Sequence, residues 1–261
     1  MIEIVFLLLA GILGGMVNSI AGGGSFITFP ALLLVGVPPI AANATNTFAA
    51  CSGYMSGVYA LRRDLRDSRL NLRRYVFFSL VGGVAGAWLL LQTPEAIFRD
   101  AVPWLLLFAT LLFIWGGALN QALSKLATGH RHASHLGSAL LGMLLLLVCV
   151  YGGFFNAGLG IVILSYLALA GESNINTMNG IKLLVSSVVS LVAIVLFVMD
   201  GVIVWREGLI VLLGTLIGGY LAAHYSRQLP QHWVRRSIIV ASIGITVYFF
   251  YATYYTWGSS E

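Results

Sequence analysis

The 261-residue sequence is poor in charge, because Asp, Glu, Lys and Arg make up only 9% of it. A soluble domain carries about 25% charged residues. In this chain 59% of the residues are hydrophobic, and the mean hydropathy is +0.93. The composition excludes an ordinary soluble domain and predicts an all-α polytopic membrane protein.

Cysteine and metal-binding patterns are also scarce. The only two cysteines, Cys51 and Cys149, lie inside apolar runs, which suits neither a disulfide nor a metal cluster. The five histidines show no HExxH or other paired-ligand spacing. We therefore expect no metal and no cofactor. Nucleophile–base pairs and carboxylate pairs at convincing spacing are missing as well, which argues against an enzyme.

The net charge of +5 comes mainly from arginines that lie between the apolar runs. In a soluble protein such an excess suggests nucleic acid, but in a membrane protein it is the usual bias of cytoplasmic loops. We therefore expect a lipid bilayer, and no nucleic acid, around this chain. The segment 61–74 carries six arginines and is predicted to be cytoplasmic, where it contacts anionic lipid or a regulatory partner.

The apolar runs predict eight full spans and two half-helices. A helix needs about 20 apolar residues to cross a bilayer. The runs 25–36 and 158–170 are too short, and each follows a glycine-rich break, so they are predicted to be re-entrant half-helices. The loop charges alternate in sign and place both termini outside a multi-pass inner (plasma) membrane protein. Full spans are predicted at about 4–21, 39–60, 75–91, 101–118, 136–157, 177–199, 207–225 and 237–256.

Glycines and asparagines recur in the same order in the two halves of the chain. The counterpart of the cytoplasmic segment 61–74 is the loop 199–207, which is predicted to be external, so the halves are inverted. Chance similarity between glycine-rich helices is the alternative. We predict a first repeat over 1–120, a cytoplasmic linker over 121–135 and a second repeat over 136–261. The matched residues are Gly14, Gly15 and Asn18 with Gly152, Gly153 and Asn156; Gly22 and Gly24 with Gly158 and Gly160; Gly36 with Gly171; and Gly82 and Gly86 with Gly214 and Gly218.

The stretch 18–47 reads NSIAGGGSFITFPALLLVGVPPIAANATNT. With its glycine run, P-x-L, G-x-x-P turn and A-x-x-T-N cluster, it resembles the hallmark of the sulfite exporter TauE/SafE family, also called the toluene sulfonate uptake permease family. The second half departs from this pattern, since it lacks the proline and has Gly180 at the threonine position. The resemblance implies a secondary transporter of small sulfur-containing anions, such as sulfite and organosulfonates. An anion channel, a membrane enzyme and an assembly subunit are the alternatives.

Irregular backbone survives in lipid only where it lines a cavity or is buried in protein, so the two breaks are candidate binding sites. Gly22, Gly23 and Gly24 are predicted to allow positive φ and to expose bare N–H groups, and Ser25 to cap the helix that follows. A helix N-terminus favours an anion. Gly158 and Gly160 are predicted to provide the opposing N-terminus. The alternative is close helix packing by small residues.

Lys182 is the basic residue that the sequence places within an apolar span, and an intramembrane charge marks a functional site by default. We expect it to contact the substrate or a counter-ion. The alternative is a lysine that snorkels to the cytoplasmic interface. Asn179, one turn earlier, is a weaker candidate for the same site.

The remaining candidates are small polar residues. Thr45, Asn46 and Thr47 are expected either to bind the anion or to cap the third apolar run. Asn18 and Asn156 are matched amides that either bind an oxyanion or hold the loose backbone. The choice of anion, coupling to protons or another ion, and homodimerisation stay open. The predicted substrate-binding residues are Asn18, Gly22, Gly23, Gly24, Ser25, Thr45, Asn46, Thr47, Asn156, Gly158, Gly160, Asn179 and Lys182.

Overall fold

The computed structural model describes residues 1–21, 23–67, 70–128, 135–225 and 231–256. Within these ranges the chain is helical and contains no strand. The helices are α1 (Ile2–Ala21), α2 (Ser25–Leu34), α3 (Pro39–Ala60), α4 (Arg62–Asp67), α5 (Leu72–Gln92), α6 (Glu95–Thr128), α7 (His135–Phe154), α8 (Leu159–Leu169), α9 (Ile175–Met199), α10 (Trp205–Tyr225) and α11 (Gln231–Tyr251), followed by a π-helical turn (Ala252–Thr256).

The two short helices α2 and α8 lie where the half-helices are predicted. Both end in the same way, with Gly36 at φ +87° and Gly171 at φ +86°. The N–H groups of Val37 and Glu172 reach back to the carbonyls five residues earlier, which is the Schellman arrangement that glycine permits. Each half-helix is therefore stopped by its own sequence after three turns.

The prediction for α6 is wrong at both ends. A span over 101–118 was expected, but the helix runs from Glu95 to Thr128. Only a short turn at Thr93 and Pro94 separates α6 from α5, and the predicted linker 121–135 is helical through Thr128. Leucine and alanine make up half of residues 119–128 and favour a helix even where the hydropathy falls. Residues 129–134 of the linker lie outside the described ranges.

Three helical segments in the described residues are long and apolar enough to cross a membrane: Leu72–Gln92, Glu95–Leu119 and Ile175–Met199. Shorter apolar helical segments cover Ile2–Asn18, Ser25–Leu34, Ala139–Phe154, Leu159–Leu169 and Ile239–Tyr255. Large apolar side chains face outward; Trp88, Trp104 and Trp115, for example, are each more than half exposed. Such a surface suits lipid rather than water, and the chain is a helical membrane protein.

Glycines bring two pairs of helices into backbone contact. On α10, a β-carbon at Gly214 would lie 2.6 Å from the Leu8 carbonyl oxygen of α1, and one at Gly218 would overlap the Ile12 carbonyl oxygen. On α5, a β-carbon at Gly86 would overlap the Val150 carbonyl oxygen of α7. Small residues at such positions allow close helix association in membranes.

Helices α3 and α9 cross the centre of the molecule and run antiparallel. Gly57 of α3 meets Leu183 of α9, while Thr45, twelve residues earlier, accepts a hydrogen bond from Val204 beyond the end of α9. The inner face of α9 is fully buried from Ile181 to Phe197. The two broken segments therefore pack against these two central helices.

Candidate anion site between the two helix breaks

The glycines of the first helix break, between α1 and α2, lie where other helices pack closely against the backbone. Gly24 has φ −57°, so the expectation of a positive φ is wrong at this position. A β-carbon at Gly24 would overlap the Gly14 carbonyl oxygen, and one at Gly23 would lie 3.0 Å from the Phe113 ring. A side chain at Gly24 would therefore require α1 to move, and one at Gly23 would require the Phe113 ring to shift. Gly22 lies outside the described residues.

Ser25 begins α2 as predicted, but Gly24 occupies the N-cap position and no side chain caps the helix. The capping role expected for Ser25 is therefore wrong. Its side chain is 6% exposed and lies beside the Tyr54 hydroxyl of α3. The first turn of α2 is formed by hydrogen bonds to the Gly24 carbonyl, which accepts from the N–H groups of both Ile27 and Thr28.

Thr45, Asn46 and Thr47 lie within α3, which begins at Pro39, so these residues do not cap it. Thr45 accepts a hydrogen bond from the Val204 N–H at 3.0 Å, and Thr47 donates to a carbonyl one turn earlier in α3. The three side chains are no more than 2% exposed. Thr45 and Thr47 thus form hydrogen bonds with backbone groups of the fold. Asn46 is the residue of the three that contacts a half-helix.

Asn46 connects α3 to the first half-helix. The Thr28 hydroxyl of α2 donates to Asn46 Oδ1 at 2.5 Å. The Asn46 amide nitrogen is buried and has no acceptor among the described residues. A buried donor without a partner costs about 1–3 kcal/mol. The Asn46 amide is therefore available to a ligand that accepts hydrogen bonds, such as an oxyanion.

Asn156 joins the second break to both central helices. Its Oδ1 accepts from the Tyr54 hydroxyl of α3 at 2.9 Å, and its Nδ2 donates to Ser190 Oγ of α9 at 2.9 Å. The side chain is 1% exposed. Because Ser25 of the first half-helix lies beside Tyr54, this amide is the point where the two breaks meet.

Lys182 lies over the N-terminus of α8. Its Cδ is 3.2 Å from the position that a β-carbon on Gly160 would occupy, and its ammonium donates to Asn179 Oδ1 at 3.0 Å. Gly158 precedes α8 with φ +78°, a conformation that glycine adopts without strain. The Lys182 methylene groups thus pack against the first turn of α8, and its ammonium is held by Asn179 of its own helix.

Asn18 takes a position by the first break that resembles that of Asn156. Its amide nitrogen is 3.3 Å from the β-carbon position of Gly53 on α3, and its own β-carbon packs against Gly24. The side chain is partly exposed. The predicted residues thus form a central group and a second group between α8 and α9. The central group comprises Asn18, Gly24, Ser25, Asn46 and Asn156. The second group comprises Gly158 and Gly160 at the start of α8 with Asn179 and Lys182 of α9, whereas Thr45 lies toward the loop before α10.

Sequence reasoning missed three members of these groups: Thr28, Tyr54 and Ser190. The helical spacing of polar residues on α3 and α9 could have identified Tyr54 and Ser190. Polar residues that line one face of a helix recur at i, i+3, i+7 and i+11. On α9 this face carries Asn179, Lys182, Ser186 and Ser190, and the same spacing on α3 carries Asn43, Asn46, Ala50 and Tyr54.

Replacing Tyr54 with phenylalanine is expected to lower stability by ~1 kcal/mol and to weaken anion binding, because Asn156 Oδ1 loses its donor and the amide is then held by Ser190 alone. Thermal unfolding of the purified protein, with and without sulfite, measures both effects. Tyr59 on the same helix is 68% exposed, so Tyr59→Phe is the matched control. Equal behaviour of the two variants would show that the Tyr54–Asn156 contact is dispensable.

The chain is similar to known membrane transporters over most of its length. A family model described as "Sulfite exporter TauE/SafE" matches residues 7–249. "Probable membrane transporter protein YfcA" of Escherichia coli K12 is 28% identical over 241 residues, which cover 90% of this chain and 85% of that protein. A "Probable membrane transporter protein" of Haemophilus influenzae is 29% identical over 240 residues, 90% of each chain. No solved structure matches. The chain belongs to the sulfite exporter TauE/SafE family and is a membrane transporter.

Proposed function

We propose that the protein is a secondary transporter that carries a small sulfur oxyanion, sulfite or an organosulfonate, by alternating access. The observation that carries this proposal is the position of Lys182, whose methylene groups pack against Gly160 in the first turn of α8. A lysine beside a helix N-terminus in a membrane protein favours an anion. The hydrogen-bond acceptor of the Lys182 ammonium is Asn179, which is neutral and carries no opposite charge.

The chemistry of the other polar groups supports the same class of substrate. A sulfur oxyanion presents only hydrogen-bond acceptors, so its site needs donors. Asn46 offers an unpartnered amide, and Ser25 and Tyr54 offer hydroxyl groups near the other break. None of these named residues is acidic, so no carboxylate among them repels the anion.

Alternating access requires two parts that move against each other, and we propose two inverted repeats as those parts. The antiparallel course of α3 and α9, one helix from each half, supports the inverted orientation of the two repeats. Matching glycine contacts support the structural equivalence of the halves, because the contacts between α1 and α10 recur between α7 and α5 at matched positions. These contacts are Leu8 with Gly214 and Leu146 with Gly82, Ile12 with Gly218 and Val150 with Gly86, and Gly15 with Thr215 and Gly153 with Gly83.

A flux measurement on the purified protein in liposomes tests the proposal. We expect sulfite uptake that saturates with concentration and that accelerates when unlabelled sulfite is present on the opposite side, because one site faces each side in turn. Flux that rises without saturation and shows no such acceleration would indicate an anion channel. Chemical conversion of the added anion would indicate an enzyme, and absence of flux for every sulfur oxyanion would contradict the proposal.

We also propose that both termini lie outside the cell, so that the arginine-rich segment 61–74 is cytoplasmic. Single cysteines at the exposed positions Arg66 and Asp200 test this orientation with a membrane-impermeant thiol reagent. Labelling of intact cells at position 200 and not at position 66 is expected. The opposite labelling pattern would show that the protein has the inverse orientation in the membrane.

A further inference from the structure

The two half-helices are covered unequally by the last helices of the two halves. Helix α6 packs closely along α8, where Gly116 admits the Ile161 side chain and Ala109 lies against Gly158. Helix α11 makes much looser contact with α2. Gly244 of α11 faces this gap, and a β-carbon added there would meet nothing within 4 Å.

The gap is a cavity of about 510 Å³ between α1, α2 and α11. This volume is within the range of about 300–1,000 Å³ that is usual for sites of organic ligands. Pro30 and Ala31 of α2 form its floor, and the half-exposed Leu13 and Leu34 lie at its rim. The lining side chains are almost entirely apolar, so the cavity suits a hydrocarbon chain and does not suit the transported anion.

A second cavity of about 330 Å³ continues the first toward one end of the bundle. Leu34, Tyr248 and Phe249 line both cavities. The second cavity is bounded by the Pro38–Pro39 turn and the π-helical turn, and the side chain of Arg99 on α6 lines it. Together the two cavities form one groove with apolar walls and a positive charge at one end.

Neighbouring aromatic residues place that end of the groove at the membrane surface. Trp104 donates a hydrogen bond from its indole N–H to the Tyr254 hydroxyl at 3.0 Å, and Phe250 packs edge-on against Trp104. Tryptophan and tyrosine collect at the level of the lipid headgroups. We therefore expect Arg99, at the mouth of the groove, to lie at the depth of the phosphates.

We propose that this groove, which we term the α2 groove, binds a glycerophospholipid. One acyl chain lies between α1 and α11 against α2, and the phosphate contacts Arg99. An amphiphile with a negative headgroup matches a groove that is apolar along its length and positive at its end. The lipid supports the flank of α2 that α11 leaves uncovered. The site is separate from the proposed anion site and does not depend on which anion is transported.

Native mass spectrometry of the detergent-purified protein, with phosphatidylglycerol added, tests the α2 groove. Gly244→Phe fills the first cavity, and because Gly244 has no neighbour within 4 Å the ring enters open space. Arg99→Gln removes the charge. Ala85→Phe adds the same ring to the exposed apolar surface of α5 and is the matched control. We expect one retained lipid in the wild type and in the control, and none in Gly244→Phe.

Arg99→Gln is expected to bind the lipid about tenfold more weakly, since the variant loses a charge-assisted hydrogen bond to the phosphate. Arg99 lies at a partly exposed position, so this variant tests the proposal even if Gly244→Phe does not fold. Lipid retention equal to the wild type in either folded variant would overturn the proposal. Equal competition by glycerol 3-phosphate alone would overturn it too, because the acyl chain would then contribute nothing.

Discussion

Replacing Lys182 with alanine is expected to weaken the binding of sulfite or an organosulfonate sharply while the helices stay folded. The Lys182 side chain is only partly exposed and lies over the start of α8, and it makes a hydrogen bond to Asn179 on its own helix. A charge-assisted hydrogen bond is worth about 1.5–3 kcal/mol, so its loss weakens binding roughly tenfold to more than a hundredfold. Isothermal titration of the purified protein measures the loss.

Two further variants separate charge from geometry. Lys182→Arg keeps the charge but replaces a compact ammonium with a larger planar group, so we expect partial recovery of binding. Arg63→Ala removes a positive charge from an exposed position of α4 and is expected to leave binding unchanged. Binding by Lys182→Ala equal to that of the wild type would mean that this lysine only snorkels toward the interface. An unchanged melting temperature without ligand confirms that the fold is intact.

The positions of the broken helices could be predicted because they depend on local chemistry. The runs 25–36 and 158–170 are too short to span, and Gly36 and Gly171 stop them by adopting positive φ. The ends of α6 could not be predicted from hydropathy. Its first and last turns carry charged and polar residues, and helix propensity together with contacts to other helices decides where such turns end.

The candidate site could be predicted only in part, because its geometry depends on partners distant in sequence. Asn156 was selected as one of two matched amides, and the structure gives it Tyr54 and Ser190 as partners from two other helices. Gly24 was expected to allow a positive φ and to expose its N–H group, whereas in the structure Gly14 of α1 leaves no space for a side chain there. Such close approaches between backbones arise from the packing of whole helices, so they cannot be predicted from the spacing of residues within one segment.

The second large effect is expected at the glycines between helices. Gly86→Ala and Gly218→Ala should each lower stability by ~1–3 kcal/mol, because the added methyl group meets backbone that cannot rotate away. At Gly86 the methyl overlaps the Val150 carbonyl oxygen and lies 2.7 Å from the Phe154 nitrogen. At Gly218 it overlaps the carbonyl oxygen of Ile12. Unfolding of the purified variants in mixed micelles measures both changes.

Gly244→Ala is the matched control, and the sign of its effect should be opposite. Alanine is better than glycine in a helix interior by about 1 kcal/mol, and the methyl group at position 244 meets no atom within 4 Å. Propensity alone therefore predicts stabilisation at all three positions, and packing reverses it at two. Stabilisation by Gly86→Ala would mean that α5 and α7 are farther apart than the structure has them.

The ratio of the two destabilising effects also tests the inverted repeat. Gly86 meets Val150 in the way that Gly218 meets Ile12, so two equivalent halves should lose similar free energy from the same substitution. If α1 and α10 instead pack as an unrelated pair of helices, nothing requires the two values to agree. Close agreement between Gly86→Ala and Gly218→Ala, with an opposite sign at Gly244, follows from a repeat whose helix contacts match. Widely different losses would count against two equivalent halves, which are the parts that alternating access requires to move against each other.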